Sequence, residues 1–334
     1  MTYECILEAY ILDEDYKSCY DVLEIAAKRK ITSEKIEQVR EDIKYVYSFS
    51  YNAFETVGVY GAGLCPVLAN GLWGFADRYG NLYISCVFDK VGSFSNEGVA
   101  PIVTRAGEAY FIDLNGEKVK VSDEKYKSFG LLAAERSVAE CEDGTYCYVD
   151  SNLNKVFGNY EEATAMNLGR AAVKTEGLWS LVDEMGTEIS TERYIDVKYD
   201  EKIICYRNDR IFAAKEVDKY FLLDGSGKQV GNMTFQDAKV FLGTMPAAVK
   251  IGGKWCFVDA NGERISNKTY EDARSFANGL AAVKVDGKWG FVDETETIVI
   301  EPQFEDAKDF NELGSCFIKK GEKWQLLKLY RLNR

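Results

Sequence analysis

The sequence contains no histidine, and this absence removes a large part of enzyme chemistry. Ser-His-Asp and Cys-His catalysis, histidine general bases and histidine-containing metal sites all need an imidazole. No GxGxxG or GxxxxGK[ST] phosphate loop occurs in a strand–turn–helix context. Glycosidase-like carboxylate pairs stay open, because 54 acidic residues guarantee chance pairs, but nothing singles two of them out. The sequence therefore predicts a non-enzymatic protein without catalytic, cofactor-binding or metal-ligating residues, and without a cofactor.

Long apolar runs and clusters of basic residues are also lacking. No apolar run reaches the ~18 residues that a transmembrane helix needs. The first residues have acids within their apolar run and no basic segment before it, so no secretion signal is predicted. A net charge of −13 without a basic tail disfavours nucleic acid and anionic membranes as partners. Nine scattered cysteines without a CxxC pair are typical of reduced thiols, which favours a cytoplasmic protein.

One stretch, residues 279–293 (GLAAVKVDGKWGFVD), organises the rest of the chain. Asp286-Gly287 is a two-residue turn between two apolar runs, and this pattern predicts a β-hairpin. With these two residues as the loop, Lys284 lies opposite Trp289 and Val283 lies opposite Gly290. Gly290 weakens a strand unless another backbone or ring approaches it closely. Both faces of the hairpin look partly buried, which indicates stacking between similar neighbours.

Imperfect copies of this hairpin recur to the end of the chain. Their Trp-bearing strands end in Asp, at intervals of 36, 37, 33, 41, 35 and 34 residues. A period near 35, with one insertion around Tyr199–Asn208, is typical of a repeat protein. Each copy has an upstream corner such as Phe304-Glu-Asp-Ala307 and a third strand after its Asp, so a unit holds three short strands. A half copy, Glu322–Leu327, ends the series with Lys328 where Asp is expected. The seven complete copies end at Asp77, Asp113, Asp150, Asp183, Asp224, Asp259 and Asp293.

The GKWGFVD strands, preceded by FEDA and GLAAVK segments, resemble the WG (or KWG) repeat family, which is found in many bacterial proteins. The resemblance covers about residues 52–328, and copies six and seven are nearest to the family pattern. Copies two, three and five depart from it, with Ala109, Tyr146 and Tyr220 where Trp is expected. The family is defined by its repeat, so the resemblance implies no catalytic residues.

The repeated Asp residues are the most tempting metal ligands in the sequence. Asp113-Leu-Asn-Gly116 and Asp259-Ala-Asn-Gly262 look like part of a Ca²⁺ loop, but the further oxygen ligands and the closing Glu are missing. An Asp that opens an Asp-x-x-Gly turn accepts hydrogen bonds from the amides of its own turn. We therefore interpret the Asp row as turn residues.

One tryptophan per repeat invites two interpretations. A row of exposed aromatics stacks sugars or bases, whereas a row on a common buried face forms the core between repeats. We favour the core. Cys147 and Cys256 stand at the position of the WG glycine, which favours a buried small-residue role over reactivity. The tryptophans are Trp73, Trp179, Trp255, Trp289 and Trp324.

Residues 1–50 differ from the rest and show helical periodicity. Tyr16, Tyr20 and Leu23 belong to one apolar stripe, and a second stripe follows Thr32 or Ser33, a plausible helix N-cap. We predict two or three helices, with a break at 13–15, that cap one end of the array and cover Phe54, Val57 and Val67. A docking module for a partner is the alternative.

The predicted fold is mainly β: a helical cap at 1–50 and an array at 51–334 of seven three-stranded hairpin repeats plus a half copy. Units near 35 residues stack as an open solenoid or close as a propeller-like ring. The last unit lacks its third strand, and Tyr45–Phe54 looks like an orphan third strand, which could close a ring or only blunt two edges. Because the unit lengths are unequal, an open or incompletely closed array is slightly favoured.

Two functions remain open on the sequence. The first is a non-enzymatic scaffold that presents successive loops to a protein or peptide partner. The second is a ligand-recognition module that uses aromatic surfaces for carbohydrate or another small ligand. Buried tryptophans would favour the scaffold, and a solvent-accessible aromatic row would favour the ligand module.

Overall fold

A computed structural model describes residues 2–330 of the chain. Three helices come first: α1 (Tyr3–Leu12), α2 (Tyr16–Lys28) and α3 (Glu34–Asp42). Ser33 caps α3 with its side chain, and the predicted break at 13–15 separates α1 from α2. The helices are followed by β1 (Tyr47–Phe54) and then by a succession of small antiparallel sheets, the blades.

The first four blades take up residues 56–183, and their strands follow one another in chain order. Blade 1 holds β2 (Thr56–Val57), β3 (Cys65–Ala69), β4 (Leu72–Ala76) and β5 (Leu82–Phe88). Blade 2 holds β6 (Lys90–Val91), β7 (Val99–Val103), β8 (Ala109–Asp113) and β9 (Lys118–Lys120). Blade 3 holds β10 (Tyr126–Phe129), β11 (Arg136–Cys141), β12 (Tyr146–Asp150) and β13 (Lys155–Tyr160). Blade 4 holds β14 (Glu162–Ala163), β15 (Arg170–Thr175) and β16 (Leu178–Asp183).

The other four blades repeat this order, and the last of them is completed by β1. Blade 5 holds β17 (Asp196–Val197), β18 (Arg210–Glu216), β19 (Lys219–Asp224) and β20 (Gln229–Phe235). Blade 6 holds β21 (Asp237–Ala238), β22 (Ala247–Ile251) and β23 (Lys254–Val258). Blade 7 holds β24 (Asp272–Ala273), β25 (Leu280–Val285), β26 (Lys288–Asp293) and β27 (Ile298–Phe304). Blade 8 holds β28 (Asp306–Ala307), β29 (Ser315–Lys320) and β30 (Lys323–Leu329), with β1 paired to β30.

The central hairpin of each blade folds as the sequence predicts. In blade 7, Lys284 pairs with Trp289 and Val283 pairs with Gly290, and both turn residues, Asp286 and Gly287, have positive φ. A Cβ added to Gly290 would lie 2.5 Å from the carbonyl oxygen of Ile300, so the close backbone approach that its position implied is present.

Two details of the repeat unit differ from the prediction. The corner upstream of each hairpin contains a further short strand, so a complete unit has four strands rather than three. Blades 4 and 6 have only isolated bridges where the third predicted strand would lie, such as Trp179 to Tyr194 and Trp255 to Tyr270. In these two segments the hydroxyls of Ser190 and Ser266 accept hydrogen bonds from backbone N–H groups two residues on. Such local bonds compete with the pairing of a regular strand.

The array closes into a ring, which corrects the slight preference for an open array. Strand β1 pairs antiparallel with β30, so the segment predicted as an orphan third strand supplies the strand that the final half copy lacks. A hydrophobic cluster lies at each of the eight junctions between neighbouring blades, including the junction of blade 8 with blade 1. Unequal unit lengths do not prevent closure because the extra residues lie in loops rather than in strands.

The helices do not cover the residues that we expected them to cover. Phe54, Val57 and Val67 pack against Phe317 and Trp324 of blade 8, so ring closure buries them. Leu23 packs instead among the helices themselves, and Tyr16 lies 6.0 Å from Tyr330, ring centroid to ring centroid. A domain boundary at residue 50 stays a prediction, and β1 already begins at Tyr47.

Candidate functional site

The seven Asp residues of the repeat all open turns, and each uses its Oδ1 atom within its own turn. In blade 7, Asp293 Oδ1 accepts from the N–H groups of Thr295 and Thr297, at 3.0 Å each. The same two bonds recur at Asp77, Asp113, Asp150, Asp183, Asp224 and Asp259. Within residues 2–330, no group of three or more His, Cys, Asp or Glu side chains is arranged to hold a metal ion.

These hydrogen bonds lower the pKa of several of the turn carboxylates. The N–H groups of Glu117 and Asn154 lower the pKa of Asp113 and Asp150 below the usual value of an aspartate. At Asp224 the main cause of a lowered pKa is the Ser226 hydroxyl. Ionised turn carboxylates are therefore part of the folded structure.

Four of the five tryptophans are buried between blades, at 4 to 8% exposure, and Trp73 is half-buried. Trp255 packs against Ala281 and Val283 of the next blade, and Trp324 packs across the closing junction. The packing confirms the predicted core role for these four tryptophans. Cys147 and Cys256 are likewise buried.

The antiparallel order of each blade separates two kinds of loop onto opposite faces of the ring. The tight turn between the second and third strands lies on one side, which we call the hairpin face. The Asp turns lie at the other ends of the same strands, with the loops that follow each short first strand; we call this the turn face. Tyr60, from such a loop, donates a hydrogen bond to the carbonyl of Asp77, which places the two loop types side by side.

The short first strands of the blades surround the centre of the ring. The residue that follows each short strand differs between blades 1–4 and blades 5–8. Blades 1, 2 and 3 have glycine there, and blade 4 has threonine. Blades 5 to 8 each have a cation, so one half of the centre is lined with positive side chains and the other half is not. We call these four cations the cation row: Lys198, Lys239, Arg274 and Lys308.

Each member of the cation row lies against an aromatic ring of its own blade. The side-chain charge is 4.3 Å from the ring centroid of Tyr220 for Lys198, and 4.9 Å from that of Trp255 for Lys239. The corresponding distances are 5.9 Å from Arg274 to Trp289 and 5.4 Å from Lys308 to Trp324. The aromatic residue of the repeat thus holds the cation beside it as well as packing between blades.

The insertion recognised in the sequence enters the centre of the ring. Six residues, Tyr199–Ile204, form a turn between β17 and β18, and we call them the central loop. Asp200 closes this turn by accepting from the N–H groups of Lys202 and Ile204. Residues of the loop border cavities that are lined by all the other blades, so the loop occupies the middle of the ring.

Glu201, at the tip of the central loop, reaches across to the cation row. Both of its carboxylate oxygens accept from Lys308 Nζ at 2.7 Å, and Arg274 Nη1 lies 3.5 Å from one of them. A residue of blade 5 is therefore tied to blades 7 and 8 through the centre of the ring.

A cavity of about 450 Å³ lies beside the central loop, between blades 5 and 8. Two buried atoms of its lining residues, Arg274 Nε and Asp309 Oδ1, have no hydrogen-bond partner among residues 2–330. Burial raises the pKa of Asp309, although Arg274 opposes this shift. Burial also disfavours the charged form of Arg274, but Asp309, Asp306 and Glu201 outweigh that effect and raise its pKa.

Sequence reasoning located the insertion but missed the site that it helps to form. The sequence did contain a signal for this site. The residue after each short strand is glycine or threonine in blades 1–4 and Lys or Arg in blades 5–8. Only the closure of the ring shows that these residues converge, because they are separated by 34 to 41 positions along the sequence.

A ring of eight antiparallel blades around a central channel defines a β-propeller. The model of the WG containing repeat matches residues 73–105, 257–289 and 289–324. The chain is therefore a WG repeat protein. Its half copy forms the eighth blade together with β1.

Two solved structures are similar to this chain in fold. The crystal structure of BamB from Moraxella catarrhalis has a TM-score of 0.55 at 13% identity, covering 85% of this chain and 100% of that one. The computationally designed Ika8 protein has a TM-score of 0.55 at 10% identity, covering 84% of this chain and 98% of that one. No curated protein sequence matches the chain. At such low identities these structures show the propeller fold alone.

Proposed function

We propose that this protein is a non-enzymatic scaffold that binds a protein or peptide partner through its turn face. The proposal rests on one observation: within each repeat, the aromatic residue and the Asp turn have different roles. The tryptophans pack between blades, so they do not form the exposed aromatic row on which a carbohydrate would stack. The Asp turns share one backbone geometry and present different side chains.

Exposed apolar and aromatic side chains lie at the tips of several Asp turns on this face. Tyr79 is 47% exposed, Met185 is 67% exposed and Leu114 is 38% exposed, all within Asp turns. Apolar groups held on rigid turns lose little conformational freedom on binding, which favours contact with a partner. Loops on a rigid scaffold are where binding residues concentrate.

The same proposal covers the cellular compartment of the protein and its biological source. Within residues 2–330 no helix is long and apolar enough to cross a membrane. The nine cysteines are free thiols, and the net charge is −13. These features support a cytoplasmic protein whose partner is neither nucleic acid nor membrane, and the WG repeat alone supports a bacterial origin.

The test is a comparison of the two faces. The intact chain would be crosslinked in a bacterial lysate, and a captured protein would then be purified and titrated against three forms of the chain. A turn-face variant carries Tyr79→Ser, Leu114→Ser and Met185→Ser. A hairpin-face control carries Val217→Ser, at a position that is 81% exposed.

We expect saturable binding to the wild type and the control, and a loss of at least about tenfold in affinity for the turn-face variant, as for a small cluster of hot-spot residues. Equal affinity for the turn-face variant would contradict the assignment of this face. Turnover of a captured molecule would contradict the non-enzymatic function.

A further inference from the structure

The contact made by Glu201 shows how the cation row binds a carboxylate. Its two oxygens lie between Arg274 and Lys308, which belong to neighbouring blades. The row repeats from blade to blade, so Lys239 precedes Arg274 in it as Arg274 precedes Lys308, and Lys239 and Arg274 border the same cavity. Within residues 2–330, no carboxylate forms ion pairs with both Lys239 and Arg274, a pair that we call the second position.

The second position lacks acceptors that its neighbours have. Lys198 pairs with Asp237 of the next blade at 2.9 Å, and Arg274 lies 3.6 Å from Asp306 of the next blade. No ion pair forms at Lys239 within the part of the chain that the structure describes. Arg274 Nε is buried without a hydrogen-bond partner in the same cavity. Among residues 2–330, Lys239 therefore borders the cavity without an ion-pair partner, and Arg274, which also borders it, keeps its Nε–H group without an acceptor.

Most of the acids around the cavity already have partners. Asp196 and Asp237 both pair with Lys198, and Asp200 pairs with Arg207 at 2.5 Å. Asp309 is the exception, since its Oδ1 is buried and accepts no hydrogen bond. A molecule that fits this site must accept from Lys239 and Arg274 and donate to Asp309.

We propose that the central cavity binds a carboxylate ligand that also carries a hydrogen-bond donor. The ligand's carboxylate lies between Lys239 and Arg274, as that of Glu201 lies between Arg274 and Lys308, and its donor meets Asp309. A cavity of about 450 Å³ takes a small carboxylic acid or one acidic side chain of a peptide. The inference goes beyond the scaffold function and does not depend on it, because the turn-tip residues Tyr79, Leu114 and Met185 do not line the cavity.

Two probes distinguish the possible sources of the carboxylate. N-acetyl-L-glutamate represents a free small acid, and an acetylated, amidated hexaglutamate represents an acidic peptide. Both carry amide N–H donors. The matched neutral probes are N-acetyl-L-glutaminamide and the corresponding hexaglutamine. Binding of the full-length protein is measured by isothermal titration calorimetry.

We expect saturable binding of at least one acidic probe and none of its neutral counterpart. Binding of N-acetyl-L-glutamate identifies the free acid as sufficient, and binding of hexaglutamate alone identifies an acidic peptide. Absence of binding by both acidic probes, or equal binding of the neutral ones, overturns the proposal.

Lys239→Gln tests the position of the ligand without risk to the core, since Lys239 is exposed. Loss of one charge-assisted hydrogen bond predicts an affinity about tenfold lower. Lys254→Gln, at an exposed position in the same blade, makes the same change of net charge and is expected to bind as the wild type does. An equal loss in both variants would mean non-specific attraction and would overturn the site.

Glu201→Gln tests the equivalence of the two positions in the row. Removing this carboxylate frees Lys308 and one side of Arg274, so the number of N-acetyl-L-glutamate molecules bound is expected to rise from one to two. Glu312→Gln is the matched control, because Glu312 follows Asn311 in the blade 8 turn that corresponds to the central loop. An unchanged stoichiometry in Glu201→Gln would contradict the proposed equivalence.

Discussion

Phe54 lies directly opposite Trp324 in the antiparallel ladder between β1 and β30. This pair joins a strand that precedes the first repeat to the last strand of the chain, and the two residues share a cluster with Val57 and Val67. Their contact couples the folding of the two ends, because blade 8 cannot form its outer strand without residues that lie before blade 1.

Ring closure should therefore depend on β1 and not on the helices. Deleting residues 1–46 is expected to leave a folded ring, whereas deleting residues 1–54 should expose the edge of β30 and cause early melting and aggregation. Thermal unfolding and light scattering of the two truncated proteins provide the comparison. Identical melting temperatures would show that β1 contributes nothing to closure.

Trp289→Ala should lower the free energy of unfolding by about 3–5 kcal/mol, the cost of removing a buried aromatic side chain. Trp289 is 7% exposed and packs with residues of blade 8. Trp73→Ala serves as the control and should cost less, because Trp73 is only half-buried. Denaturant unfolding measures both, and a cost at Trp289 no larger than at Trp73 would contradict the predicted order.

Gly290→Ala should destabilise blade 7 by about 1–3 kcal/mol, as overpacking does in a core. The new methyl group would meet the backbone at Ile300 and Glu301, which cannot move independently of β27. Cys256 holds the corresponding position in blade 6, where no regular fourth strand follows β23 and a side chain is already accommodated, so Cys256→Ala, which adds no atoms, should not overpack the blade. The prediction is wrong if Gly290→Ala unfolds at the wild-type denaturant concentration.

Acid should destabilise the protein through its turn carboxylates. The pKa values of Asp113, Asp150 and Asp224 are lowered in the folded state, so their contribution is present above the unfolded pKa of about 3.9 and is lost as pH falls through the folded values. Melting temperatures between neutral pH and about pH 2 give the slope. Asp150→Asn should flatten it, and a slope identical to that of the wild type would remove Asp150 from the explanation.

A chelator should leave the melting curve unchanged. The Oδ1 atom of each repeat Asp is already used by two amides of its own turn, as at Asp293. Thermal unfolding with and without EDTA tests this assignment. A drop of several degrees in EDTA, reversed by added Ca²⁺, would convert the Asp row from turn residues into metal ligands.

The sequence by itself determined the repeat unit. Local rules act within about 15 residues: Asp286-Gly287 fixes a turn, alternation fixes which residues share a face, and Asp293 fixes the next turn. Gly290 even indicated a close backbone approach before any contact was known. The same reasoning placed the helices, because capping at Ser33 and apolar spacing are also local properties.

Only the tertiary structure decided how the units are arranged. Closure depends on the pairing of β1 with β30, two strands that lie near opposite ends of the sequence, and local rules do not reach that far. The cation row and the central loop become one site only after the ring has closed. The sequence showed Glu201 and Lys308 as separate charges 107 positions apart, and the fold brings them to 2.7 Å.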